Sequence, residues 1–232
     1  MITVAKNGRL GNAMLRNCAA SILSKKFDIK VEEYLKNNVL QIFRPQFYTG
    51  GAKVYDDQID VRYTNFGKIL QTDNIDYGLN LICPCQSPTF VLNYKNEILS
   101  QFNPQYSEQH KDDLFVHVRL GDCIKENRVP SLDYYVKGIE QVKFDSGYIS
   151  SDTPSHEIVT YLLSKFNLTL YENRPAETIN FAKDFGNLVL SDGTFSWWMG
   201  FLSKAKNIFY PIGGPKWCGN IFVFDEWKPI QF

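Results

Sequence analysis

The sequence predicts an α/β fold whose second half is a Rossmann-like domain with a parallel sheet. Short apolar, strand-forming runs alternate four times with helical stretches between residues 114 and 210. Alternation at this spacing requires right-handed crossovers between parallel strands. Hydrophobic residues make up 44% of the 232, and aromatics 15%, so a packed core is readily supplied. Ligands of such sheets lie beyond the carboxyl ends of the strands, so the loops after His117, Ser150 and Leu190 are expected to converge.

The chain opens on a comparable unit. Ile2-Thr3-Val4 reads as a strand and Lys6-Asn7-Gly8-Arg9-Leu10-Gly11 as a glycine-containing loop. Asn12 is expected to cap a helix that buries Met14, Leu15, Cys18, Ala19, Ile22 and Leu23. From Asp28 to Lys111 the pattern blurs into short apolar runs and Gly/Asn/Pro-rich turns. A boundary is expected in the polar stretch Gln105 to Asp113, dividing a small, irregular first lobe (1–110) from a second (111–232).

In the second lobe, Leu114 to Val118 is the first strand, and Ser131 caps a helix carrying Leu132, Tyr135, Val136, Ile139 and Val142 on one face. Gly147 to Ser150 is a strand and Ser155 to Phe166 a helix. Leu168 to Tyr171 is the next strand; Pro175 opens a helix that Gly186 ends. Leu188-Val189-Leu190, a helix from about Thr194 to Ser203, and Ile208-Phe209-Tyr210 complete the series.

Charge and composition narrow the function. Lys+Arg and Asp+Glu are both 25, so the chain has no bulk attraction for nucleic acid or an anionic membrane, and any phosphate binding must be local. No apolar run is long enough to span a bilayer, so no stable membrane insertion is expected. The residues after Met1 lack the layout of a signal peptide. The five cysteines follow no framework spacing, and Cys83-Pro84-Cys85 is too close for an ordinary metal pair. A reducing, cytoplasmic setting in a microbe or virus is the expectation, with no metal site. There is no Asp-x-Asp, no P-loop and no Gly-x-Ser-x-Gly elbow.

Four constellations carry candidate chemistry. In His117-Val118-Arg119-Leu120-Gly121-Asp122, period two puts His117 and Arg119 on one side of the strand. A guanidinium there can fork onto a diphosphate and grip it harder as charge develops. The competing reading is an arginine salt-bridged to Asp122 at a surface. Gly8-Arg9-Leu10-Gly11-Asn12 offers backbone N–H groups at a helix start, an anion site or simply a turn. Ser191 to Trp198 follows a strand and opens a helix; Thr194 and Ser196 suit phosphate oxygens or N-capping, whereas Trp197 and Trp198 belong to the core. Asp152 is placed for a ribose hydroxyl or a guanine edge, or for the helix that follows it.

These motifs, in this order, resemble those of the alpha-1,2-fucosyltransferase family, and more distantly the alpha-1,6- and protein O-fucosyltransferases. Gly8-Arg9-Leu10-Gly11-Asn12 is similar to the family's N-terminal G-L-G-N motif, and His117 to Asp122 to its H-x-R-R-G-D motif. Tyr134-Tyr135, Ile149 to Asp152, and Thr194-Phe195-Ser196-Trp197-Trp198 match further segments. The resemblance implies a GT-B fold, two Rossmann-like lobes facing across a cleft. It implies metal-independent, inverting transfer of fucose from GDP-fucose, or a related sugar nucleotide, to an acceptor glycan, with no cofactor. Arg119 would bind the donor β-phosphate, with Gly8, Arg9, Leu10, Gly11, Asn12, His117, Asp152, Thr194, Phe195 and Ser196 as further donor-binding residues. Asp122 and Glu126, just after the Arg119 strand, are the candidate proton acceptors.

Two departures stand out. Leu120 occupies the position of the motif's second arginine, and Ala13 that of its glutamine. They keep open transfer of another deoxysugar, such as rhamnose, and a family member that binds nucleotide or glycan without catalysis.

Overall fold

A computed structural model describes residues 1–36, 38–213 and 219–232, with backbone alone at 38–40. It is mixed α/β, with ten helices among the described residues and two parallel sheets. The chain divides into two compact units, Met1–Pro104 with Cys218–Ile221, and Gln105–Trp217 with Phe222–Phe232. None of the helices described is long and apolar enough to cross a membrane.

The first unit contains β1 (Ile2–Val4), α1 (Leu10–Phe27), α2 (Asn38–Phe43), β2 (Gln58–Val61), α3 (Tyr63–Gln71), β3 (Gly78–Leu81), α4 (Pro88–Asn93) and α5 (Lys95–Phe102). Its three strands are parallel in the order β1-β3-β2. The first lobe is therefore more regular than the expected irregular one. Helix α1 is buried on nearly every side; Cys18, Ala19 and Ala20 are fully enclosed, and their small side chains let neighbouring elements approach closely. It starts earlier than expected. Arg9, in extended backbone, holds the N-cap position, and Asn12 lies inside the first turn. Instead of capping, the Asn12 Oδ1 accepts a 3.0 Å hydrogen bond from Gln86 Nε2.

The second unit contains β4 (Leu114–Val118), α6 (Gly121–Lys125), α7 (Leu132–Glu140), β5 (Gly147–Ser151), α8 (Glu157–Phe166), β6 (Thr169–Leu170), α9 (Pro175–Ala182), β7 (Asn187–Val189), α10 (Thr194–Phe201), β8 (Asn207–Ile212) and β9 (Lys228–Gln231). All five strand pairings are parallel, in the order β6-β5-β4-β7-β8-β9. Numbered within this unit the order is 3-2-1-4-5-6, the doubly wound arrangement that reverses direction between its first and fourth strands. Those strands are β4 and β7.

Alternation along β4 builds both layers. Leu114, Val116, Val118 and Leu120 enter one apolar cluster with Tyr134, Tyr135 and Ile139 of α7 and Val159 and Leu162 of α8. Phe115 faces the other way, against Phe181 and Phe185. Ser131 caps α7 as expected, its Oγ accepting from the Tyr134 N–H at 3.3 Å.

Candidate site at the β4–β7 switch point

The carboxyl ends of β4, β5 and β7 carry most of the polar groups picked out in the sequence. Register explains the first pairing. His117 lies beside Ser150 and Val118 beside Ser151, so the next residue of each strand brings Arg119 alongside Asp152. The Arg119 guanidinium donates through Nη1 to Asp152 and through Nη2 to Asp122. The Leu120 N–H adds a 2.8 Å hydrogen bond to the second Asp152 oxygen. Burial works against the charge on Arg119, but the Asp122 hydrogen bond and the two carboxylates outweigh it and hold the guanidinium above its ordinary value. Arg119 is a permanent cation, four-fifths enclosed.

Gly121 makes this arrangement possible. Its φ is +23°, and a Cβ there would lie 2.5 Å from Asp152 Oδ2. The turn carries the chain into α6, a short helix that places Asp122 and Cys123 under the strand end.

His117 is buried. Its Nδ1 contacts the Ser196 Oγ, which also accepts from the Ser191 N–H at 3.1 Å. Burial lowers the His117 pKa to about 4, so the ring is neutral near pH 7. The Phe195 ring packs 5.2 Å from the imidazole. The Ser191 Oγ accepts from Tyr135 at 3.0 Å. This chain of contacts locks the β7–α10 connection, where Gly193 (φ +99°) turns the backbone into a helix starting at Thr194. Trp197 and Trp198 are fully buried, as core residues should be.

A second guanidinium lies in the same unit. Arg128 donates to Glu126 through Nε at 2.7 Å and through Nη2, and to Asp192 through Nη1 at 3.0 Å. Arg128 and Asp192 are both buried. The charges of Arg128, Asp192, Arg119 and Asp122 all act on the Cys123 thiol, which burial chiefly pushes up. The chain matches no family model, no curated protein and no solved structure.

Within the second unit the structure brings together Arg119, Asp122 and Asp152, and links His117 to Ser196 and Phe195. Glu126 is drawn to Arg128, not to Arg119. Asp152, expected for a ribose or guanine, is held by Arg119 and the Leu120 N–H. Leu120 is fully buried, so the position that departs from the motif is a core position here.

The first-unit residues Gly8, Arg9, Leu10, Gly11 and Asn12 form the entry to α1. Gly8 has φ +91°, whereas Gly11 is an ordinary buried helical residue. Beneath them lies a residue the sequence reading passed over. Arg16 is 2% exposed and donates through Nε to the Cys83 carbonyl at 3.0 Å. Its Nη1 donates to the carbonyls of Ala5, at 2.8 Å, and of Asn7. Burial pulls its pKa below the ordinary value. One guanidinium thus ties the ends of β1 and β3 and sets the β1–α1 loop. A signal was present, since Arg16 is the only charged residue between Leu10 and Leu23. Arg128 offered none, since its partner Asp192 lies 64 positions away. Among the described residues no cluster of three or more His, Cys, Asp or Glu could hold a metal ion.

Proposed function

We propose that this protein is an inverting, metal-independent glycosyltransferase that moves a fucosyl group from GDP-fucose to a hydroxyl of an acceptor glycan. The observation that carries the reading is the position of Arg119. It sits at the carboxyl end of the strand beside the topological switch point, where sheets of this order bind nucleotides. The ordered motifs support the same reading, and it includes the GT-B class of architecture.

The reaction asks three things of the site. An acceptor oxygen forms a bond to the anomeric carbon while the bond from that carbon to the diphosphate breaks. The electron pair leaves on the β-phosphate oxygen, and the acceptor's proton goes to a carboxylate. Arg119 would meet the second demand, stabilising the diphosphate as its charge grows, an interaction that strengthens toward the transition state. The start of α10, with Thr194 and the His117-anchored Ser196, offers N–H groups for phosphate oxygens. Asp122 and Glu126 are the candidate proton acceptors. Each is paired with a guanidinium, so donor binding must rearrange that pairing before either can serve.

One observation favours a second reading, nucleotide or glycan binding without catalysis: two carboxylates already hold each guanidinium. A thermal-shift panel of GDP, UDP, dTDP and their sugars separates the possibilities, because a ligand of the native state raises apparent stability. Stabilisation by GDP and GDP-fucose with slow release of GDP from the sugar nucleotide supports transfer. Selective stabilisation by a dTDP-deoxysugar moves the donor to another sugar such as rhamnose. Stabilisation with no GDP release across a panel of acceptors supports the binding module.

A further inference from the structure

We propose that Arg128 is a second ligand of the donor diphosphate and that Glu126 is its place-holder, displaced when the anion binds. This deepens the reading above and rests on it for the identity of the anion.

Burying a guanidinium is expensive unless its donors are met by acceptors of good geometry. Arg128 is 8% exposed, and its donors are met unequally. Asp192, also 8% exposed, is fixed at the end of β7 and accepts from Nη1 at 3.0 Å. Glu126 accepts from Nε and Nη2, the paired edge of the guanidinium that suits a carboxylate or a phosphate equally well. Its side chain remains 49% exposed, on the loop after α6. One partner is therefore structural and the other is held from the solvent side, where a dissolved anion can compete for the same edge.

Place in the fold gives the anion's class. Asp192 follows β7 and Arg119 follows β4, the two strands that flank the reversal of strand order. Through Asp192, Arg128 is tied to the end of the strand that pairs directly with the one carrying Arg119. Two guanidiniums held at the ends of the two strands beside a switch point suit an anion with two charged centres, a diphosphate, better than a single phosphate. The pairing with Glu126 also has a use before binding, since it holds the fork of Arg128 in one orientation.

The test measures GDP and inorganic pyrophosphate binding by titration calorimetry on the full chain, for the wild type, Arg128→Gln and Glu126→Gln. Arg128→Gln is expected to weaken both ligands by about tenfold or more, the loss of a charge-assisted fork. Glu126→Gln is expected to tighten both severalfold, because a neutral amide competes less well for the guanidinium. A purely structural role for the pair would not produce that opposite sign. Arg128→Gln removes the buried cation beside Asp192 and can fail to fold; Glu126→Gln, at a half-exposed position, keeps the question answerable, and Arg128→Gln combined with Asp192→Asn restores the charge balance of that pair. Unchanged or weakened binding in Glu126→Gln, beside a wild type that binds GDP, overturns the inference. A wild type that binds pyrophosphate in an Arg128-dependent way but takes no sugar nucleotide leaves the inference standing and overturns the transferase reading. A wild type that binds neither ligand overturns both.

Discussion

Arg119 and Asp152 meet across the ends of two neighbouring parallel strands, joined by a side-chain ion pair and braced by the Leu120 N–H. The pairing is a consequence of register, one residue beyond the last paired positions of β4 and β5. It orients the guanidinium from one side while Asp122 orients it from the other.

Gly121 is where this arrangement is most easily broken. A Cβ would press on Asp152 Oδ2 at 2.5 Å, and φ is positive. Gly121→Ala is expected to push Asp152 off Arg119, costing about 1–3 kcal/mol of stability and weakening GDP binding. Denaturant titration and calorimetry check the two effects; a variant unchanged in both would mean that the Arg119–Asp152 pairing yields without cost.

His117 makes acid stability measurable. Its folded pKa is lowered by burial from 6.5 to about 4. The unfolded state therefore binds a proton first as pH falls, so stability present above about pH 6.5 is lost progressively down to about pH 4, by roughly 3 kcal/mol at most. His117→Asn removes the titrating group, and the difference in unfolding free energy between wild type and variant should shrink across that window. A difference that stays constant from pH 7 to pH 4 would contradict the burial of a neutral imidazole.

Much of the second unit was legible because strands of a parallel sheet are covered on both faces and read as apolar runs. Leu114 to Val118 is such a run, and all five residues are buried. The first unit hid its strands for the opposite reason. Strand β2, Gln-Ile-Asp-Val, lies at a sheet edge with Gln58 exposed, and the central β3 spends Asn80 on hydrogen bonds to Thr3 and Asp60, both at 2.9 Å. Strand β9 contains Pro229 and lies at the far edge, where proline is tolerated. In the site, Arg119 and Asp122 were visible as neighbours three residues apart. The pairings of Arg119 with Asp152 and Arg128 with Asp192 depend on strand order, which no local pattern encodes.

Tyr134 links α7 to the sheet, its hydroxyl donating to the carbonyls of Leu190, at 2.5 Å, and Phe209, at 3.3 Å. Tyr134→Phe removes a buried hydrogen bond without opening a cavity. A loss of about 1–2 kcal/mol is expected, read as a shift in denaturation midpoint at constant slope.

Arg16 is the corresponding test in the first unit. Arg16→Met keeps much of the side-chain volume but withdraws the donors from the carbonyls of Ala5, Asn7 and Cys83. The loss is expected to reach about 3 kcal/mol, with hydrogen exchange quickening first around residues 5–9. Exchange that stays as slow as in the wild type would show that the β1–α1 loop is held by other contacts.

In the proposed reaction Arg119 stabilises a departing nucleoside diphosphate. The most direct test of that role is the release of GDP from GDP-fucose by wild-type protein and by Arg119→Ala, each shown to be folded by circular dichroism. The wild type is expected to release GDP slowly, faster with a suitable acceptor, and the variant at least about a hundredfold more slowly. Equal release by the two folded proteins would contradict it.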